Sequence, residues 1–148
     1  MKALDETFER ATLEIARSLW PKGWHVSPKA PTTLTALVAF NKATGYTLVS
    51  SLHSEKTVFS SPAVNYAFRA WHDWHHIRLN AEFDRTGELA VHVSMRIDLG
   101  RIGIECERVL ALLECENIGQ LDYWERFGNP PDDQRAFACG YLAARGLL

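Results

Sequence analysis

Cysteine is scarce in this sequence of 148 residues, and its scarcity excludes two classes of small protein. There are three cysteines and no Cys-x-x-Cys pair, so neither a disulfide framework nor a zinc finger is expected. No stretch approaches the roughly 18 to 20 uninterrupted apolar residues that a bilayer span requires. The acidic N-terminal segment also differs from a secretion signal. We therefore expect a cytoplasmic protein with no membrane partner.

An excess of basic residues is missing as well. The formal net charge is −2, from 16 Lys and Arg against 18 Asp and Glu. Proteins that neutralise many phosphates need a positive surface, so duplex nucleic acid is not an expected partner. With 47% hydrophobic residues the chain can bury one full core without cross-links, and no repeat or linker interrupts it. We predict a single domain over residues 1–148.

Apolar residues recur every three or four positions along most of the chain, a spacing typical of amphipathic helices. Prolines and glycines mark the breaks between these segments. The predicted helices cover residues 3–19, 33–43, 62–80, 86–99, 104–127 and 131–145. β-branched and aromatic residues favour strands at 46–52 and 57–60, joined as a hairpin. The predicted fold class is mainly α, a helical bundle of about five to six helices with a small β-hairpin.

Ionisable side chains occur on three helix faces that otherwise carry apolar residues. The first of these helices has three histidines, spaced so that two imidazoles on adjacent turns can reach one ion. The next two helices add carboxylates and a further histidine. A buried carboxylate is costly unless a cation, a histidine or a metal is its partner. The candidate metal ligands are His72, His75, His76, Glu88, His92 and Glu116.

Imidazole and carboxylate together suit Zn, Fe or Mn better than Ca or Mg, and helix bundles build such sites between facing helices. The ion would activate a water while Glu88 or Glu116 moves the proton, and Gln120 would orient water or substrate. This interpretation is a metal-dependent enzyme that acts on a small-molecule substrate. Hydrolysis is the favoured reaction, and the sequence does not decide between hydrolysis and redox chemistry.

Other interpretations stay open. The inward groups can instead form a structural network in a non-enzymatic protein that binds a host protein through aromatic surface. The aromatic residues available for such a surface are Trp20, Trp24, Trp124 and Tyr141. A nucleotide pocket formed by Trp71, Trp74 and the histidines is less favoured, because the chain has no Gly-rich loop for phosphate. The sequence does not fix the oligomeric state, and a homodimer is one option.

The His72-Asp73 pair resembles the central motif of the histidine–aspartate phosphohydrolase superfamily, in which a lone His, a His-Asp pair and a later Asp bind metal. In that comparison His53 and Asp98 would take the outer roles. However, His53 falls in a predicted turn, and Asp98 projects away from the apolar face of its helix. The resemblance therefore covers the central pair alone.

A longer series of motifs resembles uncharacterised domains encoded by phages and bacterial mobile elements. Their pattern is Phe-Arg-Ala-x-His-Asp with another His after it, then Gly-Glu, then His and Met, then Glu-x-x-Gly-Gln. Between about residues 62 and 124 the matching residues are Phe68 to Asp73, His75 or His76, Phe83, Gly87, Glu88, His92, Met95, and Glu116 to Gln120. Two spacings are shorter here, before the second His and before His92.

The resemblance carries no known activity. It implies that His72, Glu88, Glu116 and Gln120 act as one unit, with Asp73 helping to orient a histidine as part of the catalytic set. It also implies a viral or prophage origin, in which case the protein would work in the cytoplasm of the host cell.

Overall fold

The helices of this mainly α fold begin and end within three residues of the positions that the sequence predicts. A computed structural model describes all residues 1–148. Its helices are α1 (Glu6–Leu19), α2 (Leu34–Thr44), α3 (Pro62–Leu79), α4 (Arg85–Arg101), α5 (Glu107–Glu114), α6 (Gln120–Phe127) and α7 (Gln134–Ala143). A π-helical turn, Cys115–Gly119, joins α5 to α6, so the predicted helix 104–127 is one continuous rod. The helical bundle class is thereby confirmed.

Side-chain caps fix the starts of four helices. In each case the residue before the first turn accepts a hydrogen bond from a backbone amide three positions later, which satisfies one of the free N–H groups there. The capping residues are Asp5, Thr33, Asp84 and Asp133. The cap at Asp84 matters most for the site, because it sets where α4 begins.

The small sheet differs from the predicted hairpin. Strand β1 (His25–Ser27) pairs in parallel with β2 (Leu48–Ser50), and α2 is the crossover that a parallel pair requires. The predicted partner strand, 57–60, forms no ladder. Val58 and Phe59 are 2% and 1% exposed, so their β-like composition reflects burial in the core rather than pairing. The hairpin prediction is therefore wrong, although a strand does form within 46–52.

The core draws apolar side chains from α1, α3, α4, α5 and α7. Apolar residues on the inner faces of α3 and α4 are buried, among them Trp71 on α3 and Met95 on α4. Helical spacing predicts core positions for Leu79 and Phe127 as well, but these residues lie at helix ends and are 46% and 54% exposed. None of the helices is long and apolar enough to cross a lipid bilayer.

Candidate metal centre

Helix α3 is covered on two sides, and its polar side chains collect on the side away from the core. Arg69, His72, Asp73 and His76 follow the i, i+3, i+4, i+7 spacing that defines one helical face. They line a cavity of about 230 Å³ whose other walls include Leu37 of α2 and residues of β2. Helical periodicity places Arg69 and Asp73 away from the core, and their side chains border this cavity.

Glu88 of α4 brings two of the histidines together. His72 Nε2 lies 2.8 Å from Glu88 Oε2, and His76 Nε2 lies 3.2 Å from Glu88 Oε1. The three possible ligand atoms all lie within 4.8 Å of one another. A tetrahedral ion with bonds of about 2.1 Å has its ligand atoms roughly 3.4 Å apart. Small side-chain rotations would therefore let these three residues hold one ion.

His76 is fixed in the orientation expected of a metal ligand. Its Nδ1 donates to the carbonyl oxygen of Ala81 at 2.7 Å, and its side chain is completely buried. This bond leaves Nε2 directed at Glu88, yet Nε2 has no hydrogen bond of acceptable geometry. Burial acts to lower the pKa of His76, but the nearby carboxylate of Glu88 and the bond to Ala81 raise it above its ordinary value. Ligating histidines are held by this kind of backbone contact at the other ring nitrogen.

Glu88 reaches this position because Gly87 lets the chain fold tightly before α4. A Cβ at Gly87 would lie 1.9 Å from the carbonyl oxygen of Glu82. Only a glycine permits this approach, which places Glu88 in the first turn of α4 facing the histidines. Burial alone would raise the pKa of Glu88, but His72 and His76 lower it to about 2. The carboxylate is therefore charged at neutral pH.

Asp73 lines the same cavity beside the three-residue cluster. Its Oδ2 accepts a hydrogen bond from Thr47 Oγ1 at 2.7 Å, which holds the carboxyl in place. Burial raises the pKa of Asp73 to about 6 in spite of that bond and of the nearby histidines. The sequence predicts Asp73 as a member of the site, and the structure places it at the cavity wall rather than among the ligand atoms.

Arg69 is a member of the site that the sequence does not single out. Its guanidinium donates to the carbonyl oxygens of Ser50 at 2.5 Å, of Leu52 at 2.7 Å and of His53 at 3.3 Å. These bonds tie α3 to the chain that follows β2. Burial lowers the pKa of Arg69, although the charge of Glu116 opposes this effect. Its place in Phe-Arg-Ala-x-His-Asp, one turn before His72, is the sequence signal by which it could have been found.

Glu116 and Gln120 lie outside the His72, His76 and Glu88 cluster. They line a second cavity of about 160 Å³, and this cavity shares Arg69 and His72 with the first. Glu116 Oε1 is completely buried and has no hydrogen-bond partner. Burial raises the pKa of Glu116 to about 7, against the effects of Gln120 and Arg69. The two residues thus border the site from behind His72.

The structure does not bring His75 and His92 to the cluster. His75 Nε2 lies 2.6 Å from Asp98 Oδ2, which also accepts from Trp71 Nε1 at 2.8 Å. His92 Nδ1 lies 3.3 Å from Asn117 Nδ2, and burial lowers the pKa of His92. Helical spacing puts His75 and His76 one residue apart on different sides of α3, so only one of them can face Glu88.

Unpaired polar atoms concentrate around the two cavities. Four completely buried side-chain atoms lack a hydrogen bond: Thr12 Oγ1, His76 Nε2, Glu116 Oε1 and Asn117 Oδ1. Three of these four belong to residues that line one cavity or the other. Buried polar atoms are almost always paired in folded proteins, so such a concentration is typical of a place where a ligand or ion completes the bonding.

Comparisons of the chain with models of protein families, with curated proteins and with solved structures find no match. The resemblance to phage-encoded domains therefore stays a prediction. The residue set of the histidine–aspartate phosphohydrolases is not assembled, because Asp98 bonds to Trp71 and His75 instead of joining His72 and Asp73. What the chain can do has to be argued from its own side chains.

Proposed function

We propose that this protein is a metal-dependent hydrolase whose ion is held by His72, His76 and Glu88. The observation that carries the proposal is the state of His76. One ring nitrogen is fixed by the Ala81 carbonyl, and the other is completely buried, unpaired and directed at a carboxylate. A cation between His76 and Glu88 would supply the partner that His76 Nε2 lacks.

The composition of the ligand set supports a catalytic rather than a structural ion. Structural zinc sites are closed by four protein ligands, whereas catalytic sites use three and keep one position open, and two His with one Glu is an established catalytic set. Zn, Fe and Mn all accept these ligands. The open side of the cluster faces the cavity of about 230 Å³, which suits a small-molecule substrate.

Within the cavity, the chain's own groups have separate tasks. A transition metal in this position would lower the pKa of a bound water to about 7. Asp73 borders the same space, held by Thr47, and would take the proton that such a water loses when it attacks the substrate. Arg69 adds positive charge at the wall, which favours the negative charge that develops during hydrolysis of an ester or phosphoester.

One observation favours a second candidate, a non-enzymatic protein of phage type that binds a host partner. Glu88 accepts from His72 at 2.8 Å, so the carboxylate has a hydrogen-bond partner without any ion. In that case the cluster is a structural ion-pair network. The two candidates differ in metal content, which makes them separable by one measurement.

The decisive experiment compares Glu88→Gln with Asp98→Asn. Each change replaces a carboxylate that contacts a histidine of α3 by an amide of the same shape, but only Glu88 belongs to the proposed site. Metal content is measured by mass spectrometry on protein purified without an affinity tag, and melting is followed with added Zn or Mn. We expect about one ion per chain in the wild type and in Asp98→Asn, and loss of the ion in Glu88→Gln.

Ligand linkage gives the expected size of the melting effect. An ion at 100 times its dissociation constant stabilises the folded state by about 2.7 kcal/mol. For a domain of this length that corresponds to roughly 5 to 10 °C. A wild-type protein that purifies with little metal and shows no shift on adding Zn or Mn contradicts the proposal and favours the structural network. If metal binds, hydrolysis of chromogenic esters and phosphoesters, with and without a chelator, tests the enzymatic part.

A further inference from the structure

The second cavity, behind His72 and Arg69, has a wall that the proposed function does not use. That wall carries five amide or carboxyl side chains: Asn65, Glu116, Asn117, Gln120 and Gln134. Each such group loses its hydration on burial and needs a hydrogen bond in return. The state of their donors and acceptors therefore indicates what the cavity can bind.

Three amide side chains of this wall donate hydrogen bonds to acceptors within the protein. Asn65 Nδ2 donates to Ser54 Oγ at 3.0 Å, and Gln134 Nε2 donates to the His53 carbonyl oxygen at 3.1 Å. Gln120 Nε2 donates to Gln134 Oε1 at 3.4 Å. Each of these three amides therefore uses one of its two N–H donors within the protein.

Two acceptors of the wall have no partner. Asn117 Nδ2 contacts His92 Nδ1 at 3.3 Å and Met95 Sδ at 3.4 Å, but its Oδ1 is completely buried without a hydrogen bond. Glu116 Oε1 is in the same state. An unpaired buried polar atom carries a free-energy cost. A group that donates hydrogen bonds at this position would recover that cost.

We propose that this cavity is a substrate subsite for an uncharged six-membered ring that carries hydrogen-bond donors, such as a pyrimidine or a pyranose. Its volume of about 160 Å³ is close to the roughly 150 Å³ of a cavity that holds benzene. Arg69 at the border disfavours a cationic group, and Glu116 disfavours an anionic one. An uncharged ring with hydrogen-bond donors matches the volume of the cavity, the charges at its border and its two unpaired acceptors.

The subsite adds a substrate class to the proposed function. It rests on that function only for the position of the bond that is hydrolysed. Because His72 and Arg69 line both cavities, a molecule whose ring lies behind His72 would reach the ligand cluster with the group attached to that ring. The substrate class is therefore a donor-bearing ring joined to a hydrolysable ester or phosphoester.

Binding is tested in the full-length Glu88→Gln protein, so that failure of the metal site cannot mask the result. The probes are cytosine and uracil as pyrimidines, glucose and N-acetylglucosamine as pyranoses, and benzene as a ring without donors. Titration calorimetry gives affinities, and amide chemical shifts locate the bound ring. We expect one donor class to bind saturably next to Glu116 and Gln120, and benzene to bind much more weakly.

Two further substitutions are added to the same protein. Glu116→Gln exchanges an acceptor for a donor, and Asn117→Leu removes an acceptor, so each should weaken binding of the donor ring about tenfold. Asp98→Asn is the matched control and should leave affinity unchanged. Benzene binding as tightly as the donor rings, affinity unaffected by Glu116→Gln or Asn117→Leu, or no saturable binding of either class at millimolar concentration would each overturn the subsite. The metal assay on the wild type judges the proposed function separately.

Discussion

Replacing Glu116 by Gln should change how the stability of the protein depends on pH. Burial raises the pKa of Glu116 from 4.5 to about 7 in the folded protein. The folded state therefore holds this proton more tightly than the unfolded chain does, and unfolding releases it at intermediate pH. The stability that the protonated carboxyl contributes is complete below its unfolded pKa and is lost as pH rises through about 7.

The magnitude follows from the same two pKa values. One pKa unit corresponds to about 1.4 kcal/mol, so this carboxyl should remove up to about 3 kcal/mol of folding free energy over that range. Glutamine has nearly the same shape and does not titrate. The free energy of unfolding of Glu116→Gln, relative to the wild type, should therefore increase steadily as pH rises from about 4.5 to about 7.5.

Urea unfolding followed by circular dichroism, at a series of pH values and with a chelator present, measures this difference. The chelator removes any contribution from metal binding. Parallel stability curves for the wild type and Glu116→Gln would refute the reasoning, because they would mean that the carboxyl has the same pKa in the folded and unfolded states.

Glu88→Gln supplies a control of opposite sign. Burial acts to raise the pKa of Glu88, but His72 and His76 lower it to about 2 in the folded protein. The stability that this carboxylate contributes is present above its ordinary pKa and is lost as pH falls towards about 2. The deficit of Glu88→Gln should therefore shrink in acid. A general effect of exchanging Glu for Gln would instead move both variants in the same direction.

Two further predictions concern the residues that hold the cluster in place. Gly87→Ala should destabilise the fold by about 1–3 kcal/mol and weaken Zn binding, because its Cβ would meet the Glu82 carbonyl and displace Glu88; urea unfolding and Zn titration measure both effects. Asp98→Asn should cost about 1.5–3 kcal/mol in urea unfolding, because Asp98 accepts from His75 and from a buried tryptophan, while metal content stays at the wild-type level.

The ligand cluster could be predicted in part from the sequence, for a definite physical reason. Residues four apart share a helical face, so the pairing of His72 with His76 follows from spacing alone. Glu88 follows from the cost of a carboxylate on an apolar face. Helical spacing divides residues into those that face the core and those that face solvent. It does not reveal that the other side of α3 borders a cavity walled by α2 and β2. For that reason the sequence predicts both His75 and His76 as ligands, although only His76 faces Glu88.

The sheet was beyond local sequence analysis for a different reason. The segment 57–60 has strand-like composition and lies close in sequence to 46–52, so a hairpin is the simplest pairing. The actual partner, β1, lies on the far side of α2. Composition does not choose between neighbouring and distant partners. The composition of 57–60 reflects burial in the core, whereas its predicted pairing with 46–52 is wrong.

The π-helical turn explains why the third polar helix was only partly predictable. A uniform period of 100° per residue places Glu116, Gln120 and Phe127 on the same face as the buried residues of α5. A π turn acts as one residue inserted into an α-helix, so it rotates every later side chain by about 100°. No residue of α6 is buried, and Phe127 is 54% exposed, whereas Glu116, inside the turn, faces the second cavity. π turns are frequent at functional sites, so the π turn that interrupts the regular helical period also supports a binding role for that cavity.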